Sequence, residues 1–464
     1  MDISRSNEWK LRKIMLVYLV ASPFISGYLF FIKLEAAGIV IDLFRIGLIF
    51  CFFISCCLLI TEKYIPSQLL KPGKISLVAW FLLILGVGVG HVIFQGFLPG
   101  GFSELAIIAS NLLFFLCLVL CIRTDQELWD FTVISFKYTG IIVALISYFE
   151  IFTGFVLPSS RFNEIEYYKN LSFHPATSIF ANENNLAAFF LIVTAIIIWQ
   201  MLHETKRRLY GIQCVQLIIV IMPAVVADST IFKLGIVFLT IMACTLFLIT
   251  NYADRYSWRK SGIQMLIPLF LCYIFKKFVR MGFIFISLKI SHQGDLLSNA
   301  VIKKLIQGDG MVEQLQNTGM GTVTMRKNLF YYGIDAGKAH PFWGNGANSF
   351  SNIFQHNADY LVKTGNIINP HNFLVEIFVQ YGGIAVVLFL SICILTLALS
   401  IKTAVSREAA KDMRYRLGLV AIMIVAFAIT TVMPSSFFKG SVYFIPIFFA
   451  AIGCDFMQNK DKEK

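Results

Sequence analysis

A histidine, an asparagine and a glutamate share the stretch NPHNFLVEIFVQYGG, residues 369–383, just before a run apolar enough to cross a bilayer. Asn369 is a good N-cap, and Pro370 suits the first helical position, where its missing N–H would be unbonded anyway. His371 then falls in the first turn, where the helix dipole disfavours an added proton and leaves the imidazole neutral. A neutral imidazole can take a proton from a hydroxyl, and the free N–H groups of the same turn favour a nearby anion. Asn372 and Glu376 are four residues apart and can hydrogen-bond to fix the helix end. Residues 382–401 suffice to span the hydrocarbon, so the turns before Gly382 stand at or above the membrane surface. A capped interfacial helix whose histidine merely hydrogen-bonds fits the same residues.

Upstream, MRKNLFYYGIDAGKAHPFWGNGANSF covers residues 325–350. Arg326 precedes an apolar pattern expected to form a short helix, followed by His340-Pro341 and by Gly344, Gly346 and Asn348. The glycine spacing is not a dinucleotide loop, because no strand–turn–helix context surrounds it. A tight turn that lets backbone approach a ligand explains the glycines better. His174, His292, His340 and His356 follow no ligand spacing, and no metal is expected.

These residues need elements to hold them. The chain has 464 residues, 57% hydrophobic and 14% charged, which excludes an ordinary soluble domain. Twelve spans are expected: 14–32, 39–60, 75–97, 104–122, 130–154, 186–202, 211–227, 231–250, 258–275, 382–401, 417–433 and 440–457. The segment before the first is polar and basic, and the span itself is too long for a cleavable signal. The fold class is therefore an all-α integral membrane protein. A bundle over 1–275 is followed by a structured extracytoplasmic cap loop over 276–370. Residues 371–464 then supply the catalytic helix end, the last three spans and a tail.

Segments sharing a side with the termini hold 22 of the 39 Lys and Arg residues, which puts both termini in the cytoplasm. The net charge of +12 is thus an orientation signal, and no nucleic-acid partner is expected. Cysteines such as Cys51, Cys117 and Cys121 lie in apolar runs and read as packing residues. Asp42 and Arg45 in the second span are placed to pair on one helix face. Lys233 snorkels or faces a cavity at the end of the eighth span. Lys276, Lys277 and Arg280 suit interfacial anchoring, or collection of an anionic lipid diphosphate. A flippase would need charge-lined spans and repeated halves, whereas polar residues here concentrate in one cap.

Arg326-x-Asn-Leu, Gly333, Pro341, Gly344-x-Gly346-x-Asn348, His371-Asn372-x-Leu374-x-Glu376 and Tyr381-Gly382 together resemble the O-antigen ligase and polysaccharide polymerase superfamily. SIFANENNLAAF, with Phe180, Asn182 and Asn184, is similar to that family's Phe-x-Asn-x-Asn entry to a mid-chain span. The Pro434-Ser435-Ser436 turn resembles members that build Gram-positive teichuronic acid and capsule. The resemblance covers most of residues 170–457. It implies a GT-C-like, metal-independent glycosyltransferase of the bacterial cytoplasmic membrane, without cofactor, acting on the extracytoplasmic side. The donor would be an undecaprenyl-diphosphate-linked oligosaccharide and the acceptor a sugar hydroxyl on a second glycolipid. Polymerase, ligase and flippase remain alternatives, and a chain-length regulator and a flippase are the protein partners of such a pathway. By the resemblance, His371 would be the general base and Arg326 the diphosphate partner. Arg161, Lys233, Asn182, Asn184, Asn348, Asn372 and Glu376 are further candidate substrate contacts. Relatives often carry an arginine in a Ser-Arg pair opening the span after the Asn-x-Asn one, or the next. Here that region reads ADSTIFKLGI with Lys233 as its base, and lysine is a point charge without the planar fork.

Overall fold

The computed structural model describes residues 3–29, 31–34, 39–61, 71–96, 98–153, 155, 157, 176–180, 182–226, 229–250, 322–406, 408–438 and 440–456. The elements, in order, are α1 (Ile3–Leu29), β1 (Phe31–Leu34), β2 (Ile39–Asp42), α2 (Leu43–Thr61), α3 (Pro72–Gln95), α4 (Gly101–Ile122) and α5 (Gln126–Thr153). Then follow α6 (Glu183–His203), α7 (Arg207–Val226), α8 (Thr230–Thr250), α9 (Thr322–Gly337), α10 (Ser349–His356) and α11 (Ala358–Lys363). The chain closes with α12 (Phe373–Val405), α13 (Lys411–Thr430), a 3-10 turn (Ser441–Phe444) and α14 (Ile445–Cys454). Among the described residues, nine helices are long and apolar enough to cross a membrane: α2 to α8, α12 and α13. The ninth expected span, 258–275, lies outside the described residues.

Three local expectations need correction. The second span was to begin at residue 39, but Ile39–Asp42 pairs antiparallel with Phe31–Leu34, so the described fold is helical apart from one hairpin. Ile32, Ile39, Val40 and Ile41 suit a strand as well as an apolar helix, and periodicity cannot separate the two in so short a run. Asp42 therefore does not share a helix face with Arg45. It stands at the head of α2, accepting from the Arg45 amide at 2.9 Å and pairing with its guanidinium at 3.1 Å. At the other end of the chain, the expected span 440–457 is a 3-10 turn running into a ten-residue helix with Pro446 near its start.

The chain forms two compact units. The first comprises residues 1–139, 331–356 and 368–464. Its core is aromatic. Phe373 meets Trp80, Phe389, Phe427, Phe437, Phe438 and Phe444 with ring centroids 4.5–6.4 Å apart. Such pairs contribute about 0.5–1.5 kcal/mol each beyond area burial, and in lipid close packing replaces the hydrophobic drive. The buried indoles donate to backbone, Trp80 to the Ala385 carbonyl at 2.9 Å and Trp129 to that of Phe449 at 3.1 Å. Charge locks the opposite ends of the helices. Arg416 on α13 grips Asp130 with two nitrogens at 2.7–3.1 Å and Gln126 at 2.6 Å. Lys74, 1% exposed, lies 3.8 Å from Asp455 and donates to the Arg123 carbonyl at 3.1 Å. The Gly73 amide also donates to Asp455.

The second unit comprises residues 140–330 and 357–367. Here α6 is apolar all round and buried almost throughout, as expected of a helix enclosed by others. It packs on α7 and α8. Gly140 of α5 allows Val193 of α6 close: a Cβ there would fall 2.5 Å from the valine methyl.

Removing one partner of a buried ion pair costs on the order of 3–5 kcal/mol, whereas an exposed pair contributes little. Asp455→Ala is therefore expected to lower the unfolding temperature of the detergent-purified protein. Asp335→Ala, which breaks an exposed pair with Lys338, should leave it unchanged.

Candidate active site

In the first unit, the start of α12 differs from the sequence expectation. Its N-cap is Asn372, not Asn369, and the helix begins at Phe373. His371 lies before the cap with φ at +49°, in the left-handed region, and is half-buried. Outside glycine, backbone held in such regions costs on the order of 1–3 kcal/mol and persists only where its surroundings over-determine it. Histidine is one of the types better tolerated there.

The surroundings can be followed bond by bond. The His371 amide donates to the Ser435 carbonyl at 3.1 Å, and the Phe373 amide to that of Thr431 at 2.9 Å. The Asn372 side-chain oxygen accepts from Leu374 and Val375 at 3.0 and 3.2 Å. The Glu376 amide closes on the Asn372 carbonyl at 2.9 Å. All four leading amides of the observed helix, 373–376, are thus satisfied by protein, so the helix that begins at Phe373 offers no free N–H group to an anion. Nor do the Asn372 and Glu376 side chains meet. Glu376, 2% exposed, accepts from Ser436 Oγ and from the Phe437 amide at 3.0 Å.

In the turns before Gly382, Phe373, Val375, Glu376, Ile377, Val379, Gln380 and Tyr381 are buried within the protein. Gly382 breaks the helix with φ +81° and ψ 175°. Three of the backbone groups at that break are taken up by residues 341–346. Val379 and Gln380 carbonyls accept from the Asn345 and Gly346 amides at 2.8 and 2.9 Å, and the Gly383 amide donates to Pro341 at 2.7 Å. The glycine loop therefore approaches the protein's own backbone, where a ligand was expected. A Cβ at Gly344 would lie 2.4 Å from Gln380 backbone, and one at Gly382 would lie 2.1 Å from the Phe342 carbonyl oxygen.

Three side chains fix the neighbourhood. Tyr381 donates to Glu104 at 2.6 Å. Asn348, a substrate candidate by sequence, donates instead to the Pro99 carbonyl at 2.7 Å, as Asn352 does at 2.9 Å. A cleft of about 520 Å³ lies between the end of α3 and residues 339–344, lined by His91, Phe94, Gln95, His340, Phe342 and Trp343 among others. His371 is not among its lining residues.

In the second unit, Asn182 caps α6 by accepting from the Asn185 amide at 2.9 Å. Asn184 accepts from Ser229 Oγ at 3.4 Å, and the Lys233 amide bonds the Ser229 carbonyl at 3.2 Å. Arg326 on α9 is half-buried. Burial pulls its pKa down from the usual guanidinium value, while the field of Glu183 works in the opposite direction. Arg326 is thus brought within electrostatic reach of the Asn182–Asn184 entry, a pairing the sequence reading did not foresee. It belongs to the second unit and His371 to the first. Arg161, Lys276, Lys277 and Arg280 lie outside the described residues.

Sequence reasoning also missed Glu150. Its carboxylate, 2% exposed, accepts from the amide and hydroxyl of Thr177, each at 3.0 Å, and from the Ser178 amide. It shapes the turn, with Ser178 at φ +50°, that leads into the Asn182 cap. The available signal was a carboxylate near the end of a helix whose second half is otherwise without charge.

Residues 175–390 match a family model described as O-antigen ligase. No curated protein matches the chain. The matched stretch contains Arg326, His371 and the Asn182–Asn184 segment, so the resemblance read from those motifs holds over it.

Replacing a glycine whose φ is positive, and whose hydrogen faces backbone, destabilises by more than about 1 kcal/mol. Gly382→Ala is expected to lower the unfolding midpoint and to expose the 341–346 loop to limited proteolysis. Gly86→Ala, whose Cβ would meet nothing within 4 Å, should do neither.

Proposed function

With residues 175–390 carrying the features of the O-antigen ligase and polymerase superfamily in a multi-pass helical membrane protein, we propose that the chain polymerises a cell-surface polysaccharide at the extracytoplasmic face of the bacterial cytoplasmic membrane. It transfers an oligosaccharide from undecaprenyl diphosphate to a sugar hydroxyl of another glycolipid. The observation that carries this reading is the half-buried histidine before α12, its backbone in a costly conformation, with its own amide bonded to Ser435 and that of Phe373 to Thr431. Strain maintained in this way is characteristic of active sites.

In the proposed reaction, the acceptor oxygen attacks the anomeric carbon as the bond from that carbon to the diphosphate oxygen breaks. His371 takes the hydroxyl proton, and the undecaprenyl diphosphate leaves with the bonding electrons. The Arg326 guanidinium, charged at any physiological pH, meets the developing negative charge through two parallel N–H donors. The Asn182–Asn184 entry and Lys233 stand in the same unit as Arg326 and would contact donor sugar or phosphate. Membrane-borne reactants suit a catalyst that is itself mostly membrane helix.

Loss of a general base costs about 10²–10⁴-fold in rate. Purified protein incubated with a lipid-linked repeat unit should yield a ladder of products. His371→Ala should abolish the ladder without changing expression or membrane insertion, and Arg326→Lys should weaken it by losing the planar fork. A normal ladder from His371→Ala would overturn the assignment. A single transfer to a different acceptor, in place of a ladder, would mark a ligase.

A further inference from the structure

We infer that Glu376 is a positioning residue for His371, acting through the Thr431–Phe437 turn and not through contact with substrate. This rests on the reading of His371 as the base.

The connection is short. Ser436 Oγ–H and the Phe437 N–H point at the two oxygens of one carboxylate, that of Glu376. Ser435, the residue before Ser436, supplies the carbonyl that receives the His371 amide at 3.1 Å. The same turn receives the Phe373 amide at Thr431. Glu376 therefore pulls the turn against α12 from one side while the turn holds the His371 backbone from the other. The φ of +49° at His371 is held by these bonds, since a histidine left to itself only tolerates such a conformation and does not favour it.

Glu376 is poorly placed to meet a sugar. It is 2% exposed, and Phe373 on the same helix packs against the rings of Phe437 and Phe438 at centroid distances of 4.5 and 5.4 Å. Ser436 is 6% exposed and equally withdrawn. What the site requires of residue 376 is two hydrogen-bonding atoms in a fixed fork. Glutamine can supply them: its oxygen accepts from the Phe437 amide, and its NH₂ donates to the Ser436 oxygen once the hydroxyl turns. Alanine cannot.

Three variants separate positioning from substrate contact in the ladder assay with purified protein. Glu376→Ala and Ser436→Ala are expected to lower kcat by about tenfold to 100-fold with KM unchanged, as a slightly misplaced base would. Glu376→Gln should stay close to wild type. Hydrogen–deuterium exchange should quicken in peptides covering 371–376 and 431–437 for the two alanine variants and not for the glutamine one. The inference is overturned if folded Glu376→Ala and Ser436→Ala both turn over normally. A raised KM with equal losses in Gln and Ala, meaning that the charge meets substrate, overturns it too. His371→Ala in the same assay keeps the two questions apart. If it is active, the base assignment fails. If it is inactive while the other variants turn over normally, only the positioning role fails.

Discussion

A backbone amide or carbonyl left open in apolar surroundings is too costly to keep, and α12 interrupts its own hydrogen bonding at two places. At its start, Asn372 and the Thr431 carbonyl close the leading amides. At Gly382, residues 341–346 insert their own N–H and C=O groups into the break. Satisfying these groups therefore dictates where two distant stretches of chain must lie. The 431–437 turn and the glycine loop are held to α12 as a result, and with them the first unit's candidate catalytic residue.

This frame is stiff where chemistry asks for stiffness. A base must sit within hydrogen-bond reach of the proton it takes, and side chains on a rigid element hold such geometry better than side chains on a loop. His371 is formally a loop residue, but its own amide is bonded to the Ser435 carbonyl and that of Phe373 to the Thr431 carbonyl. Beneath it, Phe373 sits among six other aromatic rings. The second unit uses the same device on a smaller scale. There Glu150 ties down the turn whose far end is the Asn182 cap. In both units a carboxylate inside an apolar environment orders a turn next to a polar candidate segment.

The helical membrane character was legible, because long apolar runs have few alternatives. So were the glycines as sites of close approach, although what approaches is protein and not ligand. The boundary at Asn372 was not legible. Asn369-Pro370 and Asn372 are both plausible starts, and the choice is made by Ser435 and Thr431, more than 50 residues away in the chain. The role of Glu376 was hidden for the same reason: its partners come from a turn that local pattern cannot place. The hairpin at residues 31–42 shows a different limit, since short β-branched runs satisfy strand and helix alike.

Everything proposed for the reaction requires the loop that clasps α12 to face away from the cytoplasm. The direct measurement is thiol labelling in intact cells, with a single cysteine at Lys338 in a chain whose ten native cysteines are replaced. A membrane-impermeant maleimide should label Lys338→Cys without permeabilisation, and a cysteine placed at Lys206 only after it. Labelling of residue 338 only in permeabilised cells would contradict the account, because lipid-linked sugars displayed outside could then not reach His371.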